Sequence, residues 1–306
     1  MVWLLVGGLT LIFGSSFILL KWALEVYSPG QVFAGRMTVA ALFLLPAAIR
    51  EIPRVPKDKW LALIAFACVA NIATTWLNAL ALKGIDSSIG SILNALTPMM
   101  TLLIGGLLYQ QKLKASQGIG LLVGLAGTIL ILMNESNWQI GQFNLFTIYA
   151  LIATISGGYF TNIIKFNLQG LTVLQFASIG FLLVLPVSLG YGWYSGLFPR
   201  IVEAEGGVQA FGYVVILAIF TNAIGLLLLG KLIQLSSPVF ASLINYLVPV
   251  VALFWGYLDN ESIGWLDVLA MLVISAGVFL VNQQRKKDRL KQEAPSEPPL
   301  ERISKR

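Results

Sequence analysis

Apolar residues run along this chain in long, nearly unbroken stretches, and polar or turn-forming residues fall in short gaps between them. The stretches cover about 2–22, 29–49, 60–82, 86–109, 116–133, 144–166, 171–191, 210–232, 237–257 and 265–283. Each is close to the ~20 residues that an α-helix needs to cross a bilayer. A membrane β-barrel would instead show alternating segments of about 10 residues, so helices are predicted. The gaps carry turn chemistry: Ser28-Pro29, Gly84, Ser116, Asn134 to Asn137, Gly170, Gly206-Gly207, Ser236-Ser237-Pro238 and Asp259-Asn260.

The pattern occurs twice. Residues 91–98 read Ser-Ile-Leu-Asn-Ala-Leu-Thr-Pro, and residues 242–249 read Ser-Leu-Ile-Asn-Tyr-Leu-Val-Pro. Ser91 and Ser242, Asn94 and Asn245, and Pro98 and Pro249 pair at an offset of 151, as do Asn71 and Asn222. Weaker echoes follow: Gln31-Val32-Phe33-Ala34 with Gln175-Phe176-Ala177, Leu45-Pro46 with Leu185-Pro186, and Gly127 with Gly277. Polar and helix-breaking residues duplicated inside lipid-length helices are a building plan of transporters, in which two repeats meet around a central site.

Composition supports the membrane reading. The chain is 57% hydrophobic and 11% charged, with a mean hydropathy of +0.82. A soluble domain carries about 25% charged residues. There is no histidine, which removes the commonest general base and metal ligand. The single cysteine, Cys68, lies in an apolar run, excludes an internal disulfide and reads as packing. No cleavable signal is visible, so the first helix is expected to remain.

Charge distribution sets the expected orientation. Arg50, Arg54, Lys57 and Lys59, then Lys112 and Lys114, Lys165 and Lys231 fall on one side of a ten-span path, and only Lys83 and Arg200 on the other. Eight further Lys/Arg lie beyond residue 284 among Asp288, Glu293, Glu297 and Glu301. The positive-inside rule therefore places both termini in the cytoplasm. Residues 284–306, with Pro295, Pro298 and Pro299, read as a disordered basic tail that meets anionic lipid rather than nucleic acid. Five spans per repeat is an odd number, so the second half starts from the opposite side and the repeats are inverted. The expected organisation is an all-α integral membrane protein of ten helices: residues 1–134, residues 135–283, and the tail.

Candidate chemistry is sparse. Lys21, beside Trp22, reads as snorkelling to the interface. Arg36 sits about seven residues inside its span, roughly 10 Å deep, where a cation needs water or a partner. Asn71, Asn94, Asn222 and Asn245 lie mid-span. They either tie helices together or face a polar substrate, and the sequence leaves both readings open. Pro98 and Pro249 free backbone carbonyls and predict kinks or hinges. Trp76, Tyr159 and Tyr246 lie away from the interfacial belt and either pack or stack on substrate; Trp255 and Tyr257 read as interfacial anchors. Asp86, Asp259 and Asp267 fall near helix ends, where capping and solvation explain them. With no mid-membrane acid and no histidine, a buried proton relay is not expected.

These residues resemble the drug/metabolite transporter superfamily, in its ten-helix EamA-type branch. Phe13-Gly14-Ser15-Ser16-Phe17 is similar to the family's Trp-Gly-Ser-Ser/Asn-Phe element. Pro29 followed by Arg36, the two Ser…Pro elements and Asn260-Glu261-Ser262 match further family features, while Gln110-Gln111 stands where the family usually has Glu. The resemblance implies a cavity lined by the first, third, fourth, sixth, eighth and ninth spans. That brings Ser15 and Asn162 into the substrate-binding set with Arg36, Asn71, Trp76, Asn94, Tyr159, Asn222, Asn245 and Tyr246. It implies a secondary transporter, often an exporter of amino acids or related metabolites, working by alternating access without a cofactor.

A carrier of phosphorylated or nucleotide-linked sugars is the alternative, and it needs two or more convergent cations. A membrane scaffold would leave the duplicated polar residues without a role, and an enzyme would need a nucleophile, metal ligands or paired acids. The expected partners are a small-molecule substrate and the lipid bilayer, with no nucleic acid. The sequence leaves monomer and homodimer open.

Overall fold

A computed structural model describes residues 2–111, 115–135, 144–235 and 244–293. Every regular element among them is helical. In chain order these are α1 (Val2–Val26), α2 (Pro29–Glu51), α3 (Trp60–Phe66), α4 (Thr74–Ala81), α5 (Ser87–Asn94), α6 (Thr97–Tyr109), α7 (Ala115–Glu135), α8 (Leu145–Asn162), α9 (Val173–Tyr194), α10 (Leu197–Glu203), α11 (Gly207–Ile216), α12 (Leu226–Leu235), α13 (Ile244–Leu258) and α14 (Trp265–Glu293). Seven continuous helical stretches are long and apolar enough to cross a membrane, and three shorter apolar ones cover Gln117–Ile131, Ile244–Leu258 and Trp265–Leu280. Large apolar side chains such as Leu4, Leu61, Leu107 and Trp193 stand exposed, as lipid-facing residues do. The chain is an all-α membrane protein.

Local chemistry explains the helix ends. Ser28 caps α2 and Thr172 caps α9, each with a glutamine three residues on (Gln31, Gln175) that closes a capping box. These two starts lie 144 positions apart, an offset that Lys21 and Lys165 share. The turns after α6 and α13 place Gln110 (φ 52°) and Asn260 (φ 57°) in the left-handed region. Gln111 N–H then donates to Gly105 C=O, and Glu261 N–H to Gly256 C=O.

Three π-helical segments interrupt the α-helices: Ala67–Ala73 between α3 and α4, Ile163–Asn167 after α8, and Leu217–Gly225 between α11 and α12. Asn71 lies in the first and Asn222 in the third. π-Helix is rare and concentrates at functional sites.

The two largest interfaces are α7 against α14 and α2 against α9. α8 packs on α4 and α6, and α1 packs on α11 and α13. The α7–α14 seam depends on glycine. A Cβ at Gly277 would lie 2.6 Å from Gly120 O and 2.7 Å from Gly124 N, and one at Gly127 would lie 2.7 Å from Ile274 Cγ1.

Three sequence expectations change. α14 continues to Glu293, so residues 284–293 are helical where a disordered tail was expected. Gln283 to Glu293 contain no Gly or Pro, and straight-chain residues such as Gln, Arg and Lys favour helix until Pro295. The Pro98 kink is a break, with α5 ending at Asn94 and α6 starting at Thr97, whereas α13 runs unbroken through Pro249. Cys68 is exposed on its π segment rather than packed inside. Ser242, the Ser236-Ser237-Pro238 turn and residues 294–306 lie outside the described residues.

Candidate functional site

Midway along the bundle, the third π segment brings Asn222 to Arg36 of α2. Arg36 Nε and Nη2 both donate to Asn222 Oδ1, at 3.1 and 2.7 Å. No carboxylate pairs with Arg36 among the described residues, and the side chain is half-buried. The guanidinium carries five N–H donors, and two are spent on one neutral oxygen. An unneutralised cation at this depth is costly, and it marks a place where water or an anionic group completes the arrangement.

One turn earlier on the same face of α2, Phe33 packs on Trp76 of α4 with ring centroids 5.2 Å apart. Trp76 also meets Tyr191 of α9 edge-on at 5.0 Å. Phe33, Trp76 and Tyr191 thus form an aromatic cluster that starts one helical turn from Arg36.

The duplicated asparagines differ in their surroundings. Asn71 is buried, with its Nδ2 unpartnered, and a Cβ at Gly180 of α9 would lie 3.5 Å from that nitrogen. Gly180 is 144 positions after Arg36, the offset that also separates Ser28 from Thr172. Asn94 is half-buried at the end of α5. Its carbonyl, freed by Pro98, accepts from Thr97 Oγ1 at 2.7 Å, and its own Oδ1 is 3.4 Å from the same hydroxyl. Asn245 and Tyr246 are half-buried on α13, and Tyr159 is half-buried on α8.

Asn162 and Ser15 are tied into the bundle. Asn162 is fully buried; its Nδ2 donates to Thr101 O at 2.8 Å and Gly158 O at 2.9 Å, and its Oδ1 accepts from Gln111 Nε2 at 3.2 Å. That is helix tethering, with both amide donors spent inside the bundle. Ser15 Oγ accepts from Trp255 Nε1 at 2.8 Å. Trp255, read from sequence as an interfacial anchor, therefore points into the bundle, where it packs edge-on against Trp22 at 6.3 Å.

The largest departure from the sequence reading is Lys21. It does not snorkel. Its Nζ lies 2.7 Å from Asp259 Oδ2, 2.9 Å from Glu261 Oε1 and 4.0 Å from Asp86 Oδ1. The Glu261 side chain is wholly buried. It accepts from the N–H groups of Ser87 and Ser88 at 2.8 and 3.1 Å and from Ser88 Oγ at 2.6 Å. A carboxylate on the first turn of α5 also meets the positive end of that helix.

Burial pushes the Glu261 carboxyl up, but the bonds from Ser88, Lys21 and Ser87 together hold it below the usual glutamate range. Burial and the nearby Glu261 push the Asp86 carboxyl above its usual range. Asp86 occupies the N-cap position of α5 without making a side-chain cap bond; it faces Ser262 Oγ at 3.4 Å. Asp267 does act at its helix start, accepting from Gly264 N–H at 2.8 Å.

The opposite end has a counterpart of lower charge. Lys165 Nζ donates to Gln111 Oε1 at 2.9 Å. Gln111 follows a left-handed residue, as Glu261 does, but it is neutral.

Apolar helices long enough to cross a membrane, with a cation and several amides inside the bundle, fit a membrane transporter of small molecules. The chain matches the EamA-like transporter family over residues 1–133 and 145–283, and it belongs to that family. It is 23% identical over 256 residues to an S-adenosylmethionine/S-adenosylhomocysteine transporter of Chlamydia muridarum, covering 81% of this chain and 80% of that protein. It is 25% identical over 294 residues to the uncharacterized inner membrane transporter YedA of Escherichia coli K12, covering 90% and 88%. It is 24% identical over 282 residues to the uncharacterized transporter YoaV of Bacillus subtilis, covering 89% and 94%. One solved structure, described only as the crystal structure of a protein, superposes with a TM-score of 0.58 at 16% identity, over 93% of this chain and 97% of that one. That likeness is one of fold. The protein is a multi-pass membrane transporter.

Proposed function

We propose that this chain is a secondary transporter that exports small zwitterionic metabolites bearing a carboxylate, amino acids among them, by alternating access. The observation that carries the reading is Arg36. It is a cation inside the bundle, one helical turn from the aromatic cluster, and its one described polar partner is the neutral Asn222. A substrate carboxylate supplies the missing charge with bidentate geometry. The S-adenosylmethionine named for the Chlamydia relatives is itself an amino acid at one end, and the reading extends to it. A phosphorylated or nucleotide-linked sugar is disfavoured, because Lys21 is already neutralised and leaves Arg36 alone.

In this reading ten spans form two inverted repeats, residues 1–134 and 135–283, with both termini cytoplasmic. The 144- and 151-residue offsets, the twin capping boxes, the twin left-handed turns and the recurrent helix pairing support it. Transport runs by exchange or down the substrate gradient.

Proteoliposomes loaded with a labelled metabolite panel test the reading. Efflux of amino acids that is lost when the carboxylate is converted to an amide, and lost in parallel in Arg36→Gln, is the expected result. Equal transport of acid and amide by the unaltered chain would overturn it.

A further inference from the structure

A second polar feature stands apart from Arg36, at the Lys21–Glu261 end of the bundle. Between α1 and the start of α11 lies a cavity of about 400 Å³, lined by Trp22, Glu25, Gln209, Tyr213 and Asp259 among others. Its volume falls in the range of about 300–1,000 Å³ typical of small-molecule sites. Its walls are aromatic on one side: the Trp22 and Tyr213 rings lie 5.5 Å apart, tilted by 48°. Both rings are held. Trp22 Nε1 donates to Asp259 Oδ1 at 2.7 Å, and Tyr213 OH accepts from Gln209 Nε2 at 2.7 Å. The lining includes two carboxylates, Glu25 and Asp259, and no lysine or arginine.

The two nearby cations are already engaged. Lys21 Nζ is shared by Asp259 and Glu261, and Arg200 Nε donates to Val26 O at 2.9 Å. Against them stand Glu25, Asp86, Asp259 and Glu261, so acids outnumber bases by two around this cavity.

We propose that this cavity is a binding site for an organic cation, of the quaternary ammonium or sulfonium class. The chemistry discriminates. Aromatic faces attract a cation through their quadrupole, and they suit one whose methyl groups leave it weakly hydrated. They offer no oxygen shell to replace the water of Na⁺ or Mg²⁺. Glu25 supplies the charge, Trp22 and Tyr213 supply the walls, and Asp259 fixes Trp22 and holds Lys21 away. The site's role as the mouth of a transport path rests on the reading above, with the organic cation held here before it passes toward Arg36. The binding itself does not depend on that reading.

Calorimetric titration of the purified full-length chain in detergent, with tetramethylammonium at constant ionic strength, tests the site. Saturable binding is expected. tert-Butanol, a neutral isostere, is expected not to bind saturably, and an equal concentration of Na⁺ is expected not to compete. The double variant Glu25→Gln/Tyr213→Leu should weaken tetramethylammonium at least tenfold, while Arg36→Gln leaves it unchanged. If the double variant does not fold, the singles decide: Tyr213→Phe should bind as the parent does, and Glu25→Gln should bind at least threefold more weakly. Unchanged affinity in a normally folded double variant, equal competition by Na⁺, or no saturable binding by the parent chain would each overturn the proposal. Loss of carboxylate transport in Arg36→Gln with tetramethylammonium binding intact would separate the two sites. Binding without any amino-acid transport would remove the transport reading and leave this site standing.

Discussion

Lys21 Nζ sits 2.9 Å from Glu261 Oε1, although 240 residues separate the two in the chain. The same carboxylate is held by the first two N–H groups of α5. One buried acid thus joins α1, the turn after α13 and the start of α5. Such a junction latches these three segments together. At the other end of the bundle Lys165 Nζ donates to Gln111 Oε1 in the turn after α6.

Removing the acid should loosen the latch. Glu261→Ala leaves two N–H groups and a hydroxyl without their acceptor, and leaves Lys21 with Asp259 and Asp86. Breaking a fully buried pair costs about 3–5 kcal/mol; the Lys21 side chain is 24% exposed, so about 2–3 kcal/mol is expected after allowing for screening. Glu261→Gln keeps an acceptor and should cost less. Thermal unfolding in detergent should rank the parent above Gln and Gln above Ala. Identical melting of all three would show that the cluster contributes no stability.

The latch should also respond to pH, with two opposed contributions. Glu261 is held below its ordinary range, so its contribution is complete above that range and is lost as pH falls through the lower folded value. Asp86 is raised, so the folded state binds its proton more tightly, and the Asp86 contribution weakens as pH rises from the ordinary aspartate value through the higher folded one. Asp86→Asn removes this second effect. Its melting temperature should exceed the parent's at neutral pH, and the gap should shrink on acidification toward pH 4. A gap that stays constant across that interval would contradict the assignment.

Asn162 and Arg36 should behave in opposite ways. Asn162 makes three bonds in a dry interior, so Asn162→Ala removes both interhelical and intrahelical amide bonds, leaves Gln111 Nε2 without this acceptor and should destabilise by about 1–3 kcal/mol, with normal transport per folded molecule. Arg36 has no charge partner among the described residues, so Arg36→Gln should fold at least as stably as the parent while losing transport of carboxylate substrates. Arg36→Lys keeps the charge but loses the planar fork, and should retain partial activity. Destabilisation by Arg36→Gln comparable to that of Asn162→Ala would place the arginine among the packing residues.

The helical class and most helix positions were legible because lipid forces them into the apolar pattern. The shared spacing of Asn94, Pro98 and their partners stands in the sequence itself, and the position of Arg36 along its helix follows from counting residues after Pro29. Contacts between distant segments were not legible. Asn162 and Asn222 are both mid-helix amides, and only packing shows that one is saturated by carbonyls while the other serves Arg36. Lys21, Asp86, Asp259 and Glu261 each stand near a helix end, where solvation is the ordinary explanation. Their convergence depends on α1 and α13 packing together. The π segments carry no sequence signal that we can name.

The orientation can be tested without any assumption about substrate. Arg50, Arg54, Lys57 and Lys59 crowd the connection after α2, whereas the connection between α9 and α11 holds Arg200 with Glu203 and Glu205. The positive-inside rule then puts Lys57 in the cytoplasm and Glu205 outside. Both are exposed, so cysteines there are reachable. Cys68 is itself exposed and must first be replaced, by serine. In intact cells an impermeant maleimide should label Glu205→Cys and spare Lys57→Cys, and in inverted vesicles the pattern should reverse. Labelling of both from one side would rule out an odd number of crossings between them, and with it the inverted relation of the two halves. The result also tells on which side of the membrane the Lys21–Glu261 junction and the Lys165–Gln111 contact each lie.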